Sequence, residues 1–438
     1  MRRRQAIHAV DVEELEDHLR NQVDALSAAG LTDDEAFLVA VKRLGDLDSL
    51  SSEFAREYSE RLWKQLVVSP SPAQEAAGSL REGTVAVFLA VGAAVAIKLP
   101  ELFGLALTGA EPADEFYARN LSLFVLPFLV AYFAWKRGIG RGSLSWLVLP
   151  FLAGAVAANV MPVAPPRHTM VLAALHLPIA LWLAVGPAYT GCRWGDPERR
   201  MDFVRFSGEW FIYYALIAFG GGVLMSTTNF MFRAIGLQLD TVLTTWLLPA
   251  GAAGAVLISA WLVEAKQSVV ENMAPVLTRV FTPLFTLLLL AFLGTMIWTG
   301  SGIDVEREVL IGFDLLLALV LGLLLYSISA RDKSSPPGLF DWLQLLLVLA
   351  ALVVDVLALW AISSRISEFG FSANKVAALG ENLILLVNLG WSAVLYARFI
   401  GARAPFAELE RWQTSYLPVY AIWAWVVVVL FPPAFGFR

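Results

Sequence analysis

The chain lacks the residues on which several classes of protein chemistry depend. It has one cysteine, Cys192, which excludes an intrachain disulfide and a zinc site built on a cysteine cluster. Its four histidines, His8, His18, His168 and His176, have no metal-ligand spacing, and it has neither a His-Glu-x-x-His motif nor a phosphate-binding Gly-x-x-x-x-Gly-Lys-Ser/Thr loop. These absences predict a protein that is not an enzyme and that holds no cofactor or metal.

Charge is also scarce. Of the 438 residues 58% are hydrophobic and 16% charged, and a mean hydropathy of +0.65 places most of the chain in lipid. The first 68 residues are the exception, with nine Lys and Arg against fourteen Asp and Glu, which argues against direct binding to nucleic acid. The first long apolar run begins only near Thr84, so the sequence predicts no signal peptide and an N-terminus in the cytosol.

Two amphipathic helices are predicted near the N-terminus. Apolar residues recur at steps of three and four over 11–29, and Gly30 is a suitable C-terminal stop. Thr32 stands three residues before Glu35, so the two side chains are expected to cap the second helix reciprocally. Gly45 would end this second helix.

A third helix is expected to start near Asp48 and to run toward Trp63, which would suit a membrane surface. The prediction is therefore an all-α polytopic membrane protein with a cytosolic three-helix domain over 1–68. A linker follows over 69–83, and a transmembrane helical domain over 84–438.

The first two of these helices carry a family resemblance. The segment EELEDHLRNQVDALSAAGLTDDEAFLVAVKRLGD, residues 13–46, resembles the permease-prefix domain, a helical module found ahead of membrane regions in bacterial proteins, some of them ABC-type permeases. It is also similar to helical sensor modules associated with PadR-type transcription regulators. The resemblance covers roughly 11–58 and implies docking of a cytosolic protein partner or a signalling role. The alternative is a cap that only stabilises the cytosolic face.

Apolar runs of about 20 residues, the length that crosses a bilayer core, predict the membrane helices. Eleven are predicted, at 84–106, 119–135, 143–161, 169–190, 209–229, 241–263, 279–299, 308–330, 340–362, 378–399 and 414–433.

Loop charge indicates the orientation of these helices. With the N-terminus inside, the inner loops hold fourteen Lys and Arg residues and the outer loops with the C-terminus hold seven. Because short cytoplasmic loops are enriched in Lys and Arg, the pattern predicts a multi-pass protein of the inner, cytoplasmic membrane. The N-terminus is then cytosolic and the C-terminus external, and the lipid bilayer is the main partner of the chain.

The C-terminal half shows a second resemblance. The segment EFGFSANKVAAL, residues 368–379, and the tail RWQTSYLPVYAIWAW with FPPAFGF look like the end of a family of bacterial multi-span proteins of unknown function. Phe369, Ser372 and Lys375 stand where that family more often has Tyr, Thr and Arg. The resemblance implies a fold and no activity.

Five ionisable residues fall inside predicted spans, where a charge is costly and therefore a candidate for function. They are Lys98, His176, Asp314, Asp355 and Glu381. At about 1.5 Å per residue all five lie in the outer half of the membrane. We predict that the three acids face a polar chamber, with Lys98 as their cation, and exchange protons or bind a cationic ligand. The alternative is a structural ion pair between Lys98 and one acid, with hydrogen bonds that fix helix packing.

Three consecutive glycines, Gly220, Gly221 and Gly222, lie in the middle of the fifth span. Such a run predicts either a helix break that frees carbonyl groups for a substrate or a surface for close helix packing.

Two functions remain open at this point. The protein is either a permease-like transporter of a small solute or proton with a regulatory prefix, or a membrane sensor that signals through the prefix to a cytosolic regulator. The sequence predicts neither the substrate nor the oligomeric state.

Overall fold

The structure, a computed structural model, is helical throughout the part of the chain that it describes, and that part contains no β-strand. The described residues are 20–21, 23–28, 32–44, 72–105, 113–266, 274–299, 307–333 and 335–438.

Eleven helices in these ranges are long and apolar enough to cross a membrane, which confirms the predicted number. Each matches one predicted span in order. They are α1 (Pro72–Ala96), α2 (Ala113–Lys136), α3 (Arg141–Val160), α4 (His168–Tyr189), α5 (Pro197–Ala234), α6 (Leu248–Lys266), α7 (Ala274–Thr299), α8 (Arg307–Ala330), α9 (Leu339–Phe369), α10 (Ala373–Ile400) and α11 (Phe406–Trp425).

Irregular turns extend three of these helices. A 3₁₀ turn, Leu99–Phe103, follows α1. A π-helical turn, Leu243–Leu247, leads into α6, and another, Val426–Leu430, carries α11 on to a last turn at Phe431–Ala434. These three apolar segments are therefore longer than the regular α-helices within them.

Helix α5 starts twelve residues earlier than predicted. Asp196 caps its N-terminus by accepting a hydrogen bond from the Glu198 backbone N–H at 3.0 Å, and Pro197 occupies the first helical position. The helix has 38 residues, a length of about 57 Å that exceeds the hydrocarbon core of a bilayer.

The three consecutive glycines lie inside α5, and the helix continues through them without a break. A Cβ atom added at Gly220, Gly221 or Gly222 would meet open space, so within the described chain they form no close-packing surface either.

The chain divides into two compact units, Met1–Arg81 and Glu82–Arg438. In the first, residues Asp33–Leu44 form a helix whose cap only partly follows the prediction. The Thr32 hydroxyl and backbone N–H both donate to the Glu35 carboxylate, at 2.8 and 3.1 Å, and these hydrogen bonds lower the pKa of Glu35. The carboxylate half of the predicted capping box is therefore present.

The rest of the predicted three-helix domain is described only in part. Residues 20–21 and 23–28 are helical, whereas Gly30, Gly45 and the third predicted helix lie outside the described residues. The predicted linker at 69–83 differs from the structure, because its residues from Pro72 onward are helical and form the start of α1.

Two apolar clusters form the core of the second unit. One joins α1, α2, α3, α4 and α6, and the other joins α7, α8, α9 and α10. Helices α5 and α11 contribute side chains to both clusters, so they hold the two halves together.

Candidate functional site

A short contact joins α4 to α10. Nε2 of His176 lies 2.6 Å from Oε1 of Glu381, and Nδ1 of His176 lies 2.8 Å from the carbonyl oxygen of Leu172. The histidine is buried, whereas 32% of the Glu381 side chain remains exposed. Glu381 is therefore the more exposed member of the pair.

The proton count of this pair follows from its geometry. The Leu172 carbonyl can only accept, so Nδ1 of His176 must carry a hydrogen. A neutral ring then has no hydrogen on Nε2, and the contact with Glu381 needs one further proton. Either the imidazole is cationic and Glu381 is ionised, or both groups are neutral with the proton on Glu381. The pair holds one shared proton in both cases.

The residue after Glu381 links the pair to α8. Asn382 is fully buried, and its side-chain N–H groups donate to Oδ1 of Asp314 at 2.7 Å and to the Ala378 carbonyl at 2.8 Å. Its own Oδ1 is buried without a hydrogen-bond partner in the described parts of the protein. Two adjacent residues of α10 therefore make different contacts: Glu381 contacts His176 of α4, and Asn382 binds Asp314 of α8.

Asp355 on α9 is the most deeply buried acid of the group, with 0% exposure. Neither of its carboxylate oxygens has a hydrogen-bond partner among the described residues, and the charge of Asp314 acts on it. An isolated ionised carboxylate is very costly in an apolar interior, so such a group is either protonated or neutralised by a bound cation.

Lys98 is not the cation of this group. Its ammonium group contacts Glu101 and the Thr245 carbonyl oxygen, and it lies 4.5 Å from the centre of the Trp246 ring. The structure thus brings together four of the five predicted residues, His176, Glu381, Asp314 and Asp355, and places Lys98 elsewhere. The alternative ion pair, Lys98 with one of the three acids, is also not formed in this structure.

Gly380, which the sequence reasoning missed, sets the backbone position beside Glu381. A Cβ atom at this glycine would overlap the Trp423 ring of α11, so only glycine lets α10 and α11 approach so closely. A glycine directly before an acid in a predicted span is a sequence signal that could have identified Gly380.

We expect Gly380→Ala to destabilise the protein by about 1–3 kcal/mol, since the new methyl group must displace Trp423. Gly390→Ala is the matched control. Gly390 lies on the same helix with open space around it, so alanine there should be neutral or should stabilise by about 0.5–1 kcal/mol. Unfolding midpoints in detergent would measure both, and equal midpoints would contradict the close approach.

A second polar group lies among α1, α2 and α6. Glu264 contacts Lys136 at 2.9 Å, and Nη2 of Arg137 donates to both of its oxygens at 3.0 Å. Glu82 accepts from Lys136 and, at 2.6 Å, from the Tyr132 hydroxyl. Each carboxylate here faces a cation, which is typical of a structural clamp.

The first group combines three carboxyl groups with one imidazole, side chains that can each gain or lose a proton. In the described part of the chain, no three His, Cys, Asp or Glu side chains are grouped so that they could hold a metal ion. Comparison with protein-family models, curated proteins and solved structures found no match to this chain. His176, Glu381, Asp314 and Asp355 are therefore the strongest candidates for a functional role.

Proposed function

We propose that the protein is a permease-like membrane protein that binds and releases protons at Asp355, Asp314 and the His176–Glu381 pair. The observation that supports this most strongly is Asp355, a fully buried carboxylate without a hydrogen-bond partner in the described structure. A purely structural acid would have donors around it, as Glu264 has.

We further propose that the membrane is the bacterial cytoplasmic membrane, with the N-terminus cytosolic and the C-terminus outside. The excess of Lys and Arg in alternate loops supports this orientation. The short turn 370–372 between α9 and α10 then faces outside, and the turn 401–405 between α10 and α11 faces the cytosol. Residues 1–68, with their permease-prefix resemblance, would dock a cytosolic partner that regulates the membrane region.

The exposure of the acids gives the order of the steps. We place Glu381 first because its side chain is partly exposed: a proton from outside binds there, and one proton leaves the His176–Glu381 pair for Asp314. Asp314, hydrogen-bonded to Asn382 next to Glu381, is the next acceptor. Asp355 is the deepest, and its O–H bond forms as that of Asp314 breaks. Each transfer breaks one bond to hydrogen and forms another, and the groups involved are the three carboxyl groups and the His176 imidazole.

Proton flux into proteoliposomes, followed with an entrapped pH-sensitive dye, tests this proposal. Glu381→Gln keeps the shape of the side chain but cannot carry the proton, so we expect the flux to fall by about tenfold or more. Glu368→Gln, which changes an exposed acid near the end of α9, is the control and should leave the flux unchanged. Equal flux in all three proteins would contradict the proposal.

The sensor alternative predicts a different result from the same preparations. A sensor would bind protons at Asp355 without net flux, and deletion of residues 1–68 would remove its output. A transporter would keep its flux after the same deletion.

A further inference from the structure

A fully buried polar cluster lies at the depth of Asp355 and beyond it, where the acid relay proposed above, His176, Glu381, Asp314 and Asp355, ends. The Asn388 amide donates to Oε1 of Gln413 at 3.0 Å, and the Gln413 amide donates to the Ser392 hydroxyl at 2.6 Å. All three side chains have 0% exposure. The cluster joins α10 to α11 in the half of the bundle that ends at the turn 401–405.

The cluster begins where the acid relay ends. Asp355 lies fourteen residues before the end of α9, and Asn388 lies fifteen residues after the start of α10. Because a turn of three residues joins these helices into an antiparallel hairpin, both residues lie at a depth of about 21 Å from it. Ser392 lies one turn farther along α10 than Asn388, so polar side chains continue past the depth of Asp355.

The cluster leads on to an ion pair at the other end of the bundle. Glu410 lies one helical turn from Gln413 on α11, and its carboxylate contacts Lys333 at 2.9 Å. This hydrogen bond raises the pKa of Lys333, which lies in the loop between α8 and α9 and is half exposed. Glu410 is thus a buried acid that is paired with a solvent-exposed cation, Lys333.

Two amide oxygens in this half of the bundle are buried without a hydrogen-bond partner among the described residues. They are Oδ1 of Asn388 and Oε1 of Gln344. The N–H groups of both side chains do form hydrogen bonds: Asn388 donates to Gln413, and Gln344 donates to the Thr282 and Ser327 hydroxyls. Buried acceptors of this kind are the groups that internal water molecules bind.

We propose that Asn388, Ser392 and Gln413 line a hydrated path that carries protons from Asp355 to Glu410. This rests on the proposed function and extends it to the other side of the membrane. The O–H bond of Asp355 breaks, water molecules beside the three side chains pass the proton on, and an O–H bond forms on Glu410. The Ser392 hydroxyl donates to the Asn388 carbonyl oxygen at 2.6 Å and therefore lines the path without carrying the proton. Protonated Glu410 loses its ion pair with Lys333 and then releases the proton to cytosolic water.

Cysteine accessibility tests for water in the path without relying on flux. In a Cys192→Ser background, Ser392→Cys should react with aminoethyl methanethiosulfonate about tenfold faster than Leu389→Cys, since a thiol sealed in an apolar core is inert. Leu389 is the matched control because it is equally buried on the next turn of α10 but lies in the apolar cluster. Equal, slow reaction of both variants would overturn the proposal.

A second experiment distinguishes failure of the hydrated path from failure of the proposed function. Gln413→Leu should reduce proton flux by about tenfold while leaving the protonation of Asp355 intact, because only the path beyond Asp355 is interrupted. Unchanged flux would overturn the path. If Asp355 does not bind a proton at all, the proposed function fails, whatever the reactivity of Ser392→Cys.

Discussion

Replacement of Asp355 by Asn is expected to abolish proton flux and, at the same time, to make the protein more stable. Asparagine has nearly the same shape but carries no exchangeable acidic proton. Because Asp355 is fully buried without a hydrogen-bond partner in the described structure, the carboxylate must be neutralised when the protein folds, and asparagine, which has no charge, removes that cost. We expect a gain of about 1 kcal/mol in the free energy of unfolding.

Asp341→Asn is the matched control on the same helix. Asp341 is also buried, but it contacts Arg331 at 2.8 Å and accepts from the Gly338 backbone N–H at 2.8 Å. Its replacement leaves the guanidinium group poorly paired, so stability should fall by about 2 kcal/mol. Denaturant unfolding in micelles measures both variants. A loss of stability in Asp355→Asn similar to that in Asp341→Asn would show that Asp355 is a structural group.

Replacement of Glu264 by Gln is expected to cause the largest loss of stability. The Glu264 side chain is 1% exposed and neutralises both Lys136, the last residue of α2, and Arg137, which directly follows it. Removal of one partner from a buried ion pair costs about 3–5 kcal/mol, and the partial exposure of the two cations brings the expected loss to about 3 kcal/mol. The unfolding midpoint of the purified protein is the measurement.

Glu408→Gln provides the comparison for this second variant. Glu408 lies 3.4 Å from Arg398, and the two side chains are 36% and 43% exposed. Solvent screens such a pair, so its loss should cost less than about 1 kcal/mol. Similar midpoints for Glu264→Gln and Glu408→Gln would mean that the α2–α6 clamp does not stabilise the bundle.

The number and order of the membrane helices could be predicted because a stretch of about 20 apolar residues has few structures other than a helix in lipid. The ends were less predictable. Hydropathy places the start of α5 at residue 209, but polar residues continue the helix back to Pro197. The sequence Asp196-Pro197 is a helix-start signal, which hydropathy does not register.

The acid site was predictable in composition but not in its contacts. Depth along a helix follows from residue number, and this placed Lys98 near the acids. The direction in which a side chain points depends on how the helices pack. Lys98 lies where α1 gives way to a 3₁₀ turn, and it contacts Glu101 three residues on, a local spacing that favours this pair over a distant acid.

The partner of Glu381 could not be deduced from one sequence. His176 is 205 positions away, and only the packing of α4 against α10 brings it to 2.6 Å. The role of Asn382 follows from its place beside Glu381, since neighbouring positions on a helix face different partners. Its hydrogen bond to Asp314 could not be predicted, because it depends on how α8 packs against α10.

Infrared difference spectroscopy of the protein in liposomes tests the central claim, proton binding at Asp355, most directly. When the pH is stepped, the wild-type protein should show a carbonyl band of a protonated carboxyl group that rises and falls with proton binding. The component of this band that belongs to Asp355 should be missing from Asp355→Asn and present in the exposed control, Glu368→Gln, whereas components from Asp314 and Glu381 should remain. A difference spectrum that is the same for wild type and Asp355→Asn would contradict the claim.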